Sequence, residues 1–327
     1  IKYEEQLRLK ENIVLDSFRQ KKDVLEKATI LPIQKAPKQY HYRNKVEHSF
    51  GKSETNDWQL WFHASGSFQN IVDIQQCYLV SMKAYQVFTT LKTILKDSWL
   101  PTYKQQDHTW ILRHLVIREG YNTGQILVNL VYADKNLSEE QQSLRKQTIE
   151  TIQNNSDLKK QVSTLLLTIN NGLGDAINPN LPQTILRWEW FIYEKLEQSR
   201  SEQKNEETKT LIVEEGIIKE TKNKKPKNSD QTEQSDESIF KISPFSFFQT
   251  NTHGAELMIK MIESFLANHK VETLLDLYCW TGTLGLSLLK KGIGKSLIGI
   301  EIIEEAIKDA RHNAQINQLD EQVYFSA

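Results

Sequence analysis

Cysteine is scarce in this chain of 327 residues: there are two, Cys77 and Cys279. They lie far apart, which makes them poor disulfide partners and suits a reducing cytoplasm, where the protein is expected to reside. Long apolar runs are lacking too. No stretch approaches the ~20 residues that span a bilayer, so no membrane insertion is expected. Neither charge dominates, with 41 Lys and Arg against 42 Asp and Glu. That balance argues against a broad nucleic-acid surface, though local basic patches remain open to such work. The length suits about two domains of ~150 residues. The chain begins at Ile1 inside a charged helical pattern and ends at Ala327 in a strand-like run. It is therefore expected to be a fragment at both ends.

The pattern along the chain divides it into four parts. Residues 1–38 read as a helical connector, with Leu7, Ile13, Val14, Phe18 and Leu25 near helical spacing over Tyr3–Lys27. Residues 39–197 read as an α+β unit. Alternation over Tyr40–Phe50 predicts a strand, with Gln59–Ala64 as its hairpin partner. A helix is expected over Ser81–Lys96, then strands Ile111–Glu119 and Gln125–Ala133 joined by the turn signal Gly120-Tyr-Asn-Thr-Gly124. A helix over Ser138–Asn154 and strands near Val162–Ile169 and Thr184–Lys195 complete it. Residues 198–238 are dominated by Lys, Glu, Gln, Asn, Ser and Thr, with Leu211–Ile218 as the one apolar island. Such a stretch buries too little to offset its ordering entropy and reads as a disordered insertion.

From residue 239 the pattern becomes βαβ. Leu274-Leu-Asp-Leu-Tyr278 is a buried strand, Cys279-Trp-Thr-Gly-Thr-Leu-Gly285 a turn into a helix, and Ser296-Leu-Ile-Gly-Ile-Glu301 a second strand. A short turn at a strand's carboxyl end lets a ligand approach the backbone at the sheet's switch point. Glu301, about twenty residues further on, is suited to ribose hydroxyls. A nicotinamide dinucleotide site shares this layout and stays as the alternative. Yet Gly282 and Gly285 are the only glycines in the turn, and Asp276 beside it would repel a pyrophosphate. A cofactor carrying a cationic sulfonium and ammonium fits better, which points to S-adenosylmethionine on a Rossmann-like α/β domain.

Ser243-Pro-Phe-Ser-Phe-Phe-Gln-Thr-Asn251 followed by Asp276-Leu-Tyr-Cys-Trp-Thr-Gly282 resembles the RNA uridine carbon-5 methyltransferase family. Tyr42-Arg-Asn-Lys45, Phe62-His-Ala-Ser-Gly-Ser-Phe68, Ile71-Val-Asp-Ile-Gln-Gln-Cys77 and Leu112-Arg-His-Leu-Val-Ile-Arg118 agree with it, in order, over nearly the whole chain apart from the insertion. The resemblance implies that Gln249, Tyr278, Thr283 and Glu301 contact the cofactor, beside Asp276 and Gly282. It also implies that Arg43, Lys45, Arg113 and Arg118, with His114, contact RNA on strands of the central domain. In that family a cysteine thiolate adds to uridine carbon-6 and a base then removes the carbon-5 proton. Both are expected beyond the present sequence, so this chain alone is expected to be inactive, and Cys279 in the turn is not that nucleophile. Cys77 matches the fourth cysteine of an iron–sulfur cluster found in ribosomal-RNA members. A [4Fe-4S] cluster needs four thiolates, so it is expected only in an intact protein. Ribosomal RNA is accordingly favoured over transfer RNA. The protein is expected to act as a monomer, and a non-catalytic RNA-binding module is the alternative outside the enzymes.

Trp61, Trp110, Trp188 and Trp280 stand where the resembled family has glycine. An indole at 280 would fill a turn that a cofactor must approach closely. One reading accounts for all four: UGA codons rendered as tryptophan that the source organism reads as glycine.

Overall fold

The computed structural model describes residues 1–21, 27–52, 58–67, 70–72, 74–102, 111–174, 176–177, 179–187, 189–197, 210–214, 217–221 and 237–327. Helix α1, Tyr3–Ser17, is shorter than the sequence pattern predicts; residues 22–26 fall outside the description. The central unit is a sheet of β1 (Lys45–Lys52), β2 (Trp58–His63), β3 (Ile71–Val72), β4 (Leu112–Gly120), β5 (Gln125–Tyr132), β6 (Thr164–Ile169) and β7 (Gln183–Arg187). Its order is β3-β2-β1-β4-β5-β6-β7, with β5 and β6 parallel and the other pairs antiparallel. The predicted strand at Tyr40 starts later, at Lys45, because the backbone of residues 41–44 bonds to other partners. His41 and Arg43 donate to the carbonyls of Tyr78 and Leu79, and Asn44 to that of Thr250.

Helix α2, Met82–Asp97, covers one sheet face. Ser81 caps it by accepting from the Ala84 amide at 3.0 Å, and Ala84, Val87, Phe88, Leu91 and Leu95 form its buried stripe. α3, Glu139–Asn154, opens with a capping box from Ser138 and Gln141, and α4, Ser156–Gln161, follows. Within this core His48 stacks on Phe88 at 4.2 Å between ring centres and meets the Leu115 carbonyl through Nδ1 at 3.3 Å. Burial pushes its pKa down to about 3. As pH falls below about 6.5 the unfolded chain gains a proton here that the folded chain refuses, so stability falls with it. His48→Phe is expected to remove roughly 2 kcal/mol of the stability lost between pH 6.5 and 4.5, each pKa unit being ~1.4 kcal/mol. Urea melts of both proteins at the two pH values would measure it; equal losses would refute it.

The run predicted as one strand over Thr184–Lys195 is two. β7 ends at Arg187, and β8, Ile192–Glu197, leaves the central sheet to pair antiparallel with β11, Glu237–Ile242, across the insertion. Glu237 and Ser238, read from sequence as the end of the insertion, therefore belong to a strand. β11 alternates half-buried and buried positions, as a strand with one covered face should. Between these strands the described residues form a hairpin of β9 (Thr210–Glu214) and β10 (Ile217–Thr221), which carries the apolar island. The charged runs at 222–227 and 230–236, expected to be disordered, lie outside the described residues, as do Trp110 and Trp188.

The last unit is Rossmann-like: α5 (Thr252–Leu266), β12 (Thr273–Leu277), α6 (Thr283–Lys290), β13 (Ser296–Ile300), α7 (Glu304–Ile316) and β14 (Val323–Ser326), with a parallel sheet β12-β13-β14. Its core joins that of the β8–β11 ribbon: Leu127 and Leu166 on the back of the central sheet pack with Ile192, Leu196, Phe240, Leu286, Leu297 and Phe325. Asn313 and Asn317 of α7 bond along β11, Asn313 accepting from the Lys241 amide at 2.8 Å and Asn317 from the Ile239 amide at 3.0 Å. The other sheet face is open. Leu275, Leu277, Ile298, Ile300 and Tyr324 are exposed on it. No helix among the described residues is long and apolar enough to cross a membrane.

Candidate cofactor cleft

The end of β12 and the turn into α6 bend through two left-handed residues before Gly282. Tyr278 has φ 60°, Trp280 51° and Gly282 75°. Cβ-bearing residues resist this region, so the turn is held from below. The Trp280 amide donates to Glu301 Oε2 at 3.3 Å and the Ile303 amide to Glu301 Oε1 at 3.1 Å. Asn313 Nδ2 donates to the Thr281 carbonyl at 3.0 Å. A Cβ on Gly282 would lie 3.0 Å from Leu286 and 3.1 Å from Phe325, and one on Gly285 would lie 2.7 Å from Leu297. Both glycines thus permit close packing of helix, strand and turn. The Gly285 amide at the start of α6 donates to Asp276 Oδ2 at 3.1 Å.

Above this turn lies a cleft of about 240 Å³. Its walls include Phe247, Phe248 and Gln249 from the segment before α5, and Asp276, Tyr278, Trp280 and Thr283 from the turn. Four sequence-predicted cofactor residues, Gln249, Asp276, Tyr278 and Thr283, are thereby brought together. Glu301 and Gly282 are not on the wall. Glu301 is buried beneath the turn and spends an oxygen on each of two amides, so here it shapes the turn rather than facing a ligand. Burial raises the Asp276 pKa against the lowering effect of the Gly285 amide. A carboxylate kept from water in this way favours a cationic ligand beside it. The Trp280 indole lies against Phe247 at 4.6 Å between ring centres, 30° from parallel, and so occupies part of the cleft instead of filling the turn. Sequence reasoning missed Phe247 and Phe248 as wall residues; the aromatic run Phe245–Phe248 was the available signal.

Cys279 is buried, and its thiol is pushed up to about 12 by burial and by the Asp276 and Glu301 carboxylates. A thiol so held stays protonated at neutral pH. Cys77 is buried in the other core, and the described residues contain no group of three or more His, Cys, Asp or Glu placed to hold a metal. With two cysteines in separate cores, this chain cannot assemble a four-thiolate cluster from its own residues.

The basic residues divide. Arg43 is exposed beside the segment that carries Gln249, pairing with Asn251 in an isolated bridge. Lys45 is half-buried, its pKa lowered first by burial and then by Arg118. Arg113 and Arg118 are corrections to the sequence reading. Arg113 is 1% exposed and donates to the carbonyls of Asn170, Gly172 and Gly174 at 2.7, 2.7 and 2.9 Å. Arg118 is 3% exposed and donates to the Ser243 carbonyl at 2.8 Å. Both guanidinium groups tie distant backbone together, and His114 is buried with its Nδ1 3.4 Å from the Ser49 hydroxyl, so none of the three presents itself to an RNA phosphate.

Comparison with known proteins places these features. Residues 212–327 match the family model of ribosomal protein L11 methyltransferase (PrmA). An uncharacterized RNA methyltransferase of Clostridium tetani is 32% identical over 324 residues, covering 98% of this chain and 59% of that protein. Another, of Clostridium acetobutylicum, is 32% identical over 321 residues, covering 97% and 59%. The crystal structure of Pyrococcus abyssi tRNA (uracil-54, C5)-methyltransferase in complex with S-adenosyl-L-homocysteine superposes with a TM-score of 0.64 at 21% identity, covering 100% of this chain and 63% of that one. The chain thus spans about six-tenths of the length of the curated relatives it matches.

Proposed function

We propose, from its likeness to the RNA methyltransferases it matches, that the protein methylates carbon-5 of a uridine in RNA with S-adenosylmethionine. The observation that carries the reading is the cleft in which Asp276, Gln249, Tyr278 and Thr283 meet above the β12–α6 turn. Asp276 is the residue for a cationic group, already oriented by the Gly285 amide. Gln249 and Thr283 supply polar contacts, Tyr278 an aromatic face, and Glu301 fixes the turn's backbone. The cofactor, when bound, supplies an electrophilic methyl group on a sulfonium. RNA is read by Arg43 and Lys45, where a basic side chain on phosphate contributes salt-dependent affinity. Ribosomal RNA is favoured over transfer RNA because Cys77 ends a segment like that of the cluster-bearing members.

Competition calorimetry tests the cofactor. S-adenosylhomocysteine is expected to bind and to be lost in Asp276→Asn, whereas NAD gives no heat and no competition. Binding of NAD in its place would return the site to the dinucleotide class.

A further inference from the structure

The cleft wall formed by Phe247, Phe248 and Gln249 belongs to no strand of the Rossmann-like sheet. It is a strap, residues 243–251, between β11 and α5, and the central unit and β8 grip it and the first residue of α5. The Asn44 amide donates to the Thr250 carbonyl at 2.8 Å. The Asn44 side chain donates through Nδ2 to the Gln249 carbonyl and to Thr252 Oγ1, each at 2.9 Å. Thr252 Oγ1 in turn donates to Glu194 Oε2 at 2.8 Å. The Glu194 carboxylate also accepts from the amides of Tyr121, Asn122 and Lys195 at 2.7, 2.9 and 3.0 Å. At the far end Arg118 holds the Ser243 carbonyl. Asn44 is 4% exposed, and Thr252 and Glu194 are fully buried.

We propose that Asn44 is a positioning residue for the cofactor cleft, holding the strap so that Gln249 faces Asp276 across it. This rests on the S-adenosylmethionine reading above. Asn44 suits the role because a single amide nitrogen reaches both the strap, at the Gln249 carbonyl, and the first residue of α5, at Thr252 Oγ1, and so fixes the strap where it enters the helix. A buried donor satisfied twice is costly to replace, since both acceptors lose their partner together. Its neighbour Arg43, exposed one residue away, contacts the strap's outer edge at Asn251. The strap therefore lies between an RNA-facing residue and the cofactor wall, and Asn44 is the join.

The test uses Asn44→Asp, which keeps the shape but replaces the donor with an acceptor, in the full 327-residue chain carrying Trp280→Gly. Ile152→Ala, in the central core away from the strap, serves as a match for lost stability. S-adenosylhomocysteine affinity is measured by calorimetry well below each melting temperature, and amide exchange is followed for the peptide covering 243–252. Asn44→Asp is expected to weaken binding about tenfold or more and to raise exchange in the strap. Ile152→Ala is expected to lower the melting temperature with affinity held within about twofold. Undiminished affinity in Asn44→Asp, or equal weakening in Ile152→Ala, would overturn the proposal. Should the parent bind no S-adenosylhomocysteine, the cofactor reading fails. Strap exchange then decides the role of Asn44 alone: a rise confined to Asn44→Asp upholds it, and unchanged exchange rejects it.

Discussion

Trp280→Gly is expected to tighten S-adenosylhomocysteine binding by roughly tenfold, with little change in melting temperature. The indole stands in the cleft against Phe247. A ligand that takes its place must break that aromatic pair, which contributes ~0.5–1.5 kcal/mol, or two- to tenfold in affinity. Removing the side chain also lets the ligand approach the backbone. The stability terms oppose one another: the stack is lost, while a Cβ-bearing residue is relieved of a left-handed φ worth ~1–2 kcal/mol. Calorimetry on both proteins reads the difference, and equal affinities would show that the indole already swings clear.

The other tryptophans bear on the same point. Trp99 follows the cap of α2 with φ 59° and is 85% exposed, a position where helices favour glycine. The indole nitrogens of Trp58 and Trp61 are buried with no hydrogen-bond partner among the described residues, at a cost of ~1–3 kcal/mol each. Trp61 is nonetheless packed against Phe88, His48 and Tyr85. The recoding reading requires that mass spectrometry of the protein from its source find glycine at 280; tryptophan there would remove it.

Methyl transfer by the 327-residue chain is expected to be absent, whichever RNA is offered and whether or not position 280 is glycine. Addition to carbon-6 of a uridine needs a thiolate that can reach the base. The chain has two cysteines. Cys279 lies under the turn with its thiol pushed up to about 12, and Cys77 is buried in the α2 core. Both thiols are thus covered by protein, away from an incoming base. A radiolabelled transfer assay on ribosomal and transfer RNA is the measurement. Turnover abolished by Cys279→Ser or Cys77→Ser would show that a buried thiol is activated after all.

What the sequence disclosed was mostly local. The β12–α6 turn, the Gly120–Gly124 hairpin and the capped helices are written in contiguous residues, and they formed where expected. Non-local partners were not legible. The sequence of β4 shows Arg113 and Arg118 among apolar neighbours, but not that a loop at 170–174 and the strap would close over them. Thr184–Lys195 reads as one β-rich run, because nothing within it reveals that Ile192–Glu197 pairs with residues beyond the insertion. Glu301 sits where a ribose partner belongs, yet its nearest donors are backbone amides whose positions follow from the turn's left-handed residues.

That β8–β11 pairing makes the insertion thermodynamically quiet. The ribbon's two strands meet whatever length of chain joins them, and closing a longer loop costs only as the logarithm of its length. Relative to a four-residue hairpin, the about 40 residues between Glu197 and Glu237 add roughly 2 kcal/mol of closure entropy. The β9–β10 hairpin draws part of that chain together and shortens the effective loop. The junction can therefore gain, lose or exchange sequence over evolutionary time while the two cores on either side of the ribbon keep their register.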